Sequence, residues 1–131
     1  MDVFARARLA SSSPSLTCLV GLESDPDAVV RVSLLGNPHF PLERAEALAE
    51  RELLTMQTYQ WFIPQAIAWS TRVSSGLLGR VAKDFPQWYV WIALANNVQC
   101  PEDLLVRFAR DDNPFREVQA VARGRLESRT L

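Results

Sequence analysis

Residue types that carry much of protein chemistry are scarce in this chain of 131 residues. It has a single histidine, His39, and two cysteines, Cys18 and Cys100. A catalytic triad or a zinc site built on His39 would need partners at a defined geometry, and the spacing reveals none. Two thiols cannot form a metal cluster alone, and we expect Cys18 and Cys100 to lie too far apart for a disulfide. We therefore predict no catalytic residues, no metal site and no cofactor.

The chain also has few glycines and a small net charge. The five glycines form no Gly-rich loop that could cradle a phosphate, and we interpret Gly76 and Gly79 as packing or turn residues. A formal net charge of −1 gives no general attraction to nucleic acid or to an anionic membrane. The chain also lacks the ~20 consecutive apolar residues of a membrane span, and residues 1–10 lack the apolar core of a signal peptide. We expect a protein of a reducing, bacterial cytoplasm.

Apolar residues are abundant by comparison, at 48% of the chain against 22% charged residues. This balance is ordinary for a soluble globular protein, and the length is that of one domain. In the C-terminal part Leu104, Leu105 and Phe108 recur at helical spacing and give one apolar face. No alternating strand pattern competes, so we predict an all-α fold.

The apolar pattern repeats along the chain. The Ala-Leu-Ala at residues 93–95 recurs 27 residues later as the Ala-Val-Ala at residues 120–122, and the segment 37–41 matches 97–101 at an offset of 60. Self-similarity at such a period indicates stacked supersecondary units. The predicted organisation is a single domain over residues 1–131, with units at about 9–36, 37–69, 70–96 and 97–124 and a tail at 125–131.

Each unit is predicted to contain a turn, a short helix, a second turn and a second helix. Neither helix can bury its apolar stripe alone, so about four helical pairs should stack as a short α-solenoid. In the second unit, apolar residues between Leu42 and Leu53 predict a long amphipathic helix. Glu43, Glu46 and Glu50 would line its solvated side.

Turn residues predict where some helices begin and end. A helix should begin near Pro64 or be kinked there, and Asp25 should begin one whose Val29 faces inward. In the last unit Asp111 or Asp112 should cap the second helix, and Gly124 should end it.

These turns and helices resemble the leucine-rich repeat variant family. The resemblance lies in Asn37-Pro38 with Pro41, the pair Leu104-Leu105, Ala109-Arg110-Asp111 and the Ala-Val-Ala-Arg at residues 120–123. It implies a right-handed solenoid in which a short, often 3₁₀-like helix alternates with an α-helix, with HEAT-like repeats as close structural neighbours. One such protein carries an iron–sulfur cluster on a cysteine-rich segment, and no such cysteines occur here. Because the family has no common activity, the resemblance supports a binding role by analogy only.

Aromatic residues concentrate in the middle units. Aligning the units places Trp61, Trp88 and Phe115 in one column, and Phe62, Tyr89 and Arg116 in the next. Large aromatic residues with arginine are the types that anchor protein interfaces. The segment between Glu52 and Asp84 contains no acidic residue, but it does contain the basic residue Arg72. The predicted partner-binding residues are Trp61, Phe62, Arg72, Trp88, Tyr89, Phe115 and Arg116, with Arg72 and Arg116 at the rim.

The same aromatic residues could instead fill the core between units. We favour the core for Trp91, whereas Trp61, Trp88 and Tyr89 fit either position. If those three side chains are buried, the interface hypothesis loses most of its support.

Three functions remain open at this point. We favour a non-enzymatic module that binds a protein or peptide partner, and homo-oligomers are compatible with it. A nucleic-acid-binding protein of the DNA-repair type is the second, because HEAT-like solenoids include DNA glycosylases. The arginines of the C-terminal unit make it locally basic, but nearby acidic residues offset them, so we rank nucleic acid below protein. The third is a small inhibitor or immunity-type protein, which would act by covering a surface.

Overall fold

The structure is a computed structural model that describes residues 1–130. These residues form nine α-helices and one 3₁₀ turn, with no β-strand among them. The helices are α1 (Val3–Ser12), α2 (Leu16–Leu22), α3 (Ala28–Ser33), α4 (Leu42–Thr55), α5 (Phe62–Trp69), α6 (Ser75–Asp84), α7 (Trp88–Asn96), α8 (Glu102–Phe108) and α9 (Arg116–Thr130). The 3₁₀ turn, Leu34–Gly36, directly continues α3. The prediction of an all-α fold is confirmed.

The odd-numbered helices form a row. Helix α1 contacts α3, α3 contacts α5, α5 contacts α7, and α7 contacts α9. The even-numbered helices lie against this row, with α4 on α5, α6 on α5 and α7, and α8 on α9. Apolar side chains are shared across these contacts, and Phe40, Ile63 and Phe108 are fully buried. Helix α1 lies mostly outside the first predicted unit, so the sequence reasoning missed the first member of the row.

Buried asparagines join successive odd-numbered helices. The side-chain Nδ2 of Asn97 donates to the carbonyl oxygens of Ala68 (2.8 Å) and Ser70 (2.7 Å), at the end of α5. Its Oδ1 accepts from the backbone N–H of Gln99 at 2.8 Å. These bonds satisfy carbonyl groups that the end of a helix leaves without an intrahelical partner.

Asn37 makes the same kind of bonds to the C-terminal end of α1. Its Nδ2 donates to the carbonyl oxygens of Ala10 (2.9 Å) and Ser13 (3.0 Å), and its Oδ1 accepts from the N–H of His39 (2.8 Å). Asn37 and Asn97 are both buried. The two turns that match in sequence at an offset of 60 therefore share one hydrogen-bonding scheme.

Two other side chains occupy comparable places. The hydroxyl of Ser70 donates to the carbonyl of Leu35 at 2.7 Å, and Arg125 Nη1 donates to the carbonyls of Ala95 (2.8 Å) and Asn97 (2.6 Å). From α1 to α7, each odd-numbered helix is thus tied at its C-terminal end to the next part of the chain. Such fully bonded buried polar groups favour one register over its alternatives.

Several predicted boundaries can be compared with the structure. Helix α4 begins at Leu42, as predicted, and continues two residues beyond Leu53. Pro64 lies in the first turn of α5, where its missing N–H costs no hydrogen bond. The prediction that Gly124 ends the last helix is wrong, because α9 continues to Thr130. The bonds of Arg125 to the end of α7 hold this continuation against the row.

Three other predictions need correction. The turn before α9 is closed by Asn113, whose Oδ1 accepts from the N–H of Phe115 at 2.8 Å, rather than by Asp111 or Asp112. Asp111 instead forms an exposed ion pair with an arginine of α9. Val29 does not face inward, because it is 41% exposed. Glu46 is not simply solvated, since its carboxylate accepts hydrogen bonds from the N–H and hydroxyl groups of Ser74.

Candidate functional site: an aromatic face on the odd-numbered helices

Six of the seven predicted binding residues lie at the N-terminal ends of α5, α7 and α9. Trp61 and Phe115 immediately precede α5 and α9, and Trp88 is the first residue of α7. The second column begins one residue later in each helix, at Phe62, Tyr89 and Arg116.

Helices α5 and α7 run side by side in the same direction. The rings of Trp61 and Tyr89 meet at their N-terminal ends, whereas Asn97 bonds Ala68 at their C-terminal ends. Because both ends are adjacent, the first sequence column becomes a physical line of side chains along the edge of the row.

Ring contacts connect the two middle helices. The rings of Trp61 and Tyr89 pack edge to face with centroids 5.7 Å apart, and those of Trp88 and Tyr89 do so at 6.0 Å. Phe62 joins the group through Trp61, at 6.4 Å. Edge-to-face pairs at these distances are favourable beyond the area they bury. The Tyr89 hydroxyl donates to Gln87 Oε1 at 2.6 Å, which helps to orient its ring.

The tryptophans of this group remain substantially exposed. Trp61 is 54% exposed, Trp88 is 57% exposed, and Trp69 at the end of α5 is 50% exposed. Phe62, Tyr89 and Phe115 are half-buried. The core alternative is therefore wrong for Trp61 and Trp88, and Tyr89 is divided between the two environments.

A groove lies on each side of the ring contacts. Between α7 and α9, a groove of about 400 Å³ is lined mainly by Trp88, Ile92 and Phe115. Between α3 and α5, a second of about 450 Å³ is lined by Val29, Phe62, Trp69 and their neighbours. The contacts from Phe62 through Trp61 and Tyr89 to Trp88 bridge the two grooves. We call this surface the aromatic face and define it by Trp61, Phe62, Trp69, Trp88, Tyr89, Ile92 and Phe115.

Charge is absent from the middle of the aromatic face. Helices α5 and α7 contain no Asp, Glu, Lys or Arg. At its edge, Arg116 and Glu117 both line the groove between α7 and α9. Within residues 1–130 neither side chain has an ion-pair partner. The face therefore presents rings and aliphatic groups, with one charge of each sign at one end.

Trp91, one turn after Trp88 on α7, is half-buried and packs against the core, as predicted. Its ring packs against Phe108 at 4.8 Å and against Phe115 at 5.5 Å. Its Nε1–H donates to the carbonyl of Ala82 at 3.0 Å. Phe115 therefore links the core to the exposed groove.

Arg72 does not lie beside the predicted aromatic residues. It follows the C-terminal end of α5, whereas Trp61 precedes its N-terminal end, and eight helical residues separate two points by about 12 Å. Its Nη2 donates to the carbonyl of Phe40 at 2.9 Å, and its buried Nε has no partner among the described residues. Arg72 thus stabilises the turn after α5, at the opposite end of this helix from Trp61 and Phe62, and its role at the rim stays a prediction.

Arginines of the C-terminal unit are largely engaged within the chain. Arg123 pairs with Asp111 at 2.6 Å, and Arg125 bonds the end of α7. Arg107 lies over the Trp91 ring at 6.0 Å. Such internal bonds leave few guanidinium groups to form the basic stripe that a nucleic-acid surface requires.

Chemically reactive groups do not gather at the aromatic face. Both cysteines are free, and burial raises the pKa of the Cys100 thiol to about 11, so it stays protonated at neutral pH. Over residues 1–130 no three His, Cys, Asp or Glu side chains are grouped to bind a metal ion. In the same range no helix has the length and hydropathy needed to cross a membrane.

Sequence reasoning missed two parts of the face. Trp69 lies seven residues after Phe62, and Ile92 four residues after Trp88, so each continues an exposed stripe along its helix. That helical spacing was the available signal. No comparable sequence pattern predicts the groove between α3 and α5, because its formation depends on which helices pack side by side in the fold.

No family model matches this chain, and no curated protein or solved structure matches it at a significant level.

Proposed function

We propose that this protein is a non-enzymatic module that binds another protein through the aromatic face. One observation carries the proposal: half-exposed tryptophans lie on a continuous surface formed by two helices without charge. Monomeric soluble proteins rarely leave large apolar patches open to water, and such patches usually mark an interaction site. Tryptophan, tyrosine and arginine are also the residues that most often dominate the energy of protein interfaces.

An α-solenoid scaffold of the leucine-rich repeat variant type fits this proposal. It is supported by the row from α1 to α9 and by the shared bonding scheme of Asn37 and Asn97. The 3₁₀ turn after α3 fits the expected mixture of helix types. In such a scaffold, equivalent positions of successive units form ladders along one surface. The aromatic columns would then be a property of the repeat itself.

The chemistry of the face favours protein over nucleic acid. Binding to a phosphate backbone requires several lysine or arginine contacts, and α5 and α7 offer none. Single-stranded nucleic acid can stack on aromatic rings, but such sites combine the rings with a positively charged groove. A protein partner needs only apolar side chains that fill the two grooves and displace water from the indoles.

Site-specific crosslinking in the native host would test the proposal. Trp88 is replaced by p-benzoylphenylalanine, a photoreactive phenylalanine that reacts with whatever lies within a few ångströms. The matched control carries the same residue at Leu54, which is 87% exposed on α4. We expect light to produce a protein adduct of defined mass from position 88 and not from position 54.

Two results would contradict this assignment. One is a folded chain that yields no protein adduct from position 88 or from a second photoreactive position at Trp61. The other is a nucleic-acid adduct from both positions, which would reassign the face to stacking against bases. Circular dichroism of each purified variant establishes that the helices are intact.

A further inference from the structure

We infer that the protein that covers the aromatic face is a second copy of this chain, related to the first by a two-fold axis. The inference rests on the proposed function and names its partner. In a two-fold interface the same patch is used twice, so the patch must be complementary to itself. The aromatic face meets this condition in charge, in shape and in the arrangement of its anchors.

The charges at its edge are self-complementary. Arg116 and Glu117 are neighbours at the start of α9, both line the same groove, and both lack an ion-pair partner in the described chain. A two-fold axis that runs along the N-terminal ends of α5, α7 and α9 sets Arg116 of one copy beside Glu117 of the other. Each dimer then contains two ion pairs, each between Arg116 of one copy and Glu117 of the other. A partner that carried charge of only one sign would place a like charge beside one of these two residues.

The same axis also brings the anchors together. Trp61, Trp88 and Phe115 all lie at helix N-terminal ends, so an axis along these ends passes close to all three. Each exposed indole stands next to a groove, and the second copy presents the same indoles and grooves in the same order along the axis. Aromatic rings then meet aromatic rings, which is a favourable and directional contact.

The exposed area is of the required order. A tryptophan offers up to ~250 Å², so Trp61 and Trp88 together expose at most about 280 Å² per copy at 54% and 57% exposure. A specific interface buries about 800 Å² per partner. Two anchors thus supply at most roughly a third of that area, and the rings and groove walls beside them must supply the rest.

Long-range repulsion between copies is weak. The net charge is −1, and a net charge near zero favours association of like molecules. Because α5 and α7 carry no charge, no like charges from these helices meet when two faces approach.

Light scattering coupled to size-exclusion chromatography tests the inference on the full chain. We expect wild type at high micromolar concentration to have twice the chain mass of 14.8 kDa. Trp88→Ala should return it to 14.8 kDa, whereas Phe4→Ala, at an 80% exposed position on α1, should leave the doubled mass unchanged.

Charge exchange supplies a test that loss of folding cannot imitate. Arg116→Glu and Glu117→Arg should each weaken self-association, because like charges then face each other across the axis. An equal mixture of the two variants should recover the doubled mass, since the edge with two carboxylates then meets the edge with two guanidinium groups. The helical circular dichroism of both variants should match wild type.

Three outcomes would overturn the inference: a monomeric wild type, a dimer insensitive to Trp88→Ala, and a mixture of folded variants that stays monomeric. A monomer that still crosslinks to another protein from position 88 would end this inference and leave the proposed function standing. A monomer without any such adduct would end both.

Discussion

Helices α4 and α5 are neighbours in the chain and in space, yet they differ sharply in their content of charged residues. Six of the 14 residues of α4 are charged, and none of the eight residues of α5 is. Where α4 meets water it presents side chains such as Glu43, Arg44 and Glu50, whereas α5 presents Trp69. Helix α7 repeats the composition of α5, with Trp88 at its exposed end.

The contrast agrees with the proposed function, in which the uncharged helices α5 and α7 contact a partner. Both kinds of helix bury apolar side chains, and about half of the surface of Trp69 and Trp88 lies outside the core. A charged outer surface keeps a chain soluble. An aromatic outer surface adds little to solubility, and under the proposed function it is covered by another molecule.

The largest expected effect lies in the charged helix, at a carboxylate that is not exposed. Glu52 is 2% exposed, and its oxygens accept from Arg31 Nε and Nη2 at 3.0 to 3.1 Å. Glu52→Ala leaves the half-buried guanidinium without its charge partner, so we expect the free energy of unfolding to fall by about 3 kcal/mol. Urea titration measures this change.

Glu50→Ala is the matched control on the same helix. Its pair with Arg80 is more than half exposed on the arginine side, so we expect a loss below about 1 kcal/mol. Equal losses at the two positions would contradict the assignment of Glu52 as a structural anchor.

Two tryptophans of α7 provide the next comparison. Trp91→Ala removes a ring packed on Phe108 and a hydrogen bond to Ala82, and should cost about 3 kcal/mol of unfolding free energy. Trp88→Ala removes a side chain that is 57% exposed and should cost less than about 1 kcal/mol. Urea unfolding of both variants, at a concentration too low for self-association, gives the two losses in unfolding free energy. A larger loss at Trp88 would return it to the core and remove the main anchor of the aromatic face.

A smaller effect concerns acid sensitivity. The Arg6 guanidinium hydrogen-bonded to Asp25 holds the pKa of that carboxyl below its ordinary value of 3.8, and burial only partly opposes this. Because the folded pKa is the lower one, the contribution of Asp25 is complete above pH 3.8 and is lost as the pH falls through the folded pKa.

We therefore expect Asp25→Asn to lower stability near neutral pH and to reduce its decline in acid, measured as unfolding free energy against pH. Asp111→Asn, at an exposed pair, is the control and should keep the wild-type pH dependence. A decline in Asp25→Asn as steep as in wild type would assign the acid sensitivity to other carboxylates.

The smallest expected effect is a gain in stability. Gly124 lies inside α9, and a Cβ added there would meet no atom within 4 Å. Gly124→Ala should raise the free energy of unfolding by about 0.5–1 kcal/mol, because alanine loses less backbone entropy in a helix. A higher midpoint of thermal unfolding would agree with an uninterrupted helix, and a lower one would favour a helix end at this residue.

Periodicity and turn residues predicted the helices well. The spacing of apolar residues identified α4 and the start of α5 near Pro64, and the offset of 60 identified the two asparagine turns. The error at Gly124 has a physical reason. Glycine often ends a helix, but here Arg125 anchors the next turn through bonds to α7, and a single sequence does not reveal such tertiary contacts.

The sequence alignment predicted which aromatic residues occupy equivalent helix positions, but it did not predict how exposed they are. Alignment of the units placed Trp61 and Trp88 together, and it could not show whether they face water or core. Arg72 lies apart from Trp61 and Phe62 because the length of α5 separates them in the chain and places them at opposite ends of the helix. Glu52 was missed because its partner, Arg31, is 21 residues away in the chain and meets it only in the folded state.

The most direct measurement of the central claim is partner capture by the Trp61→Ala/Trp88→Ala double variant, using the protein that crosslinks from position 88. The account predicts that binding is lost, while helical circular dichroism is unchanged and Phe4→Ala binds as wild type does. Undiminished binding by the folded double variant would show that the aromatic face is not the interaction surface.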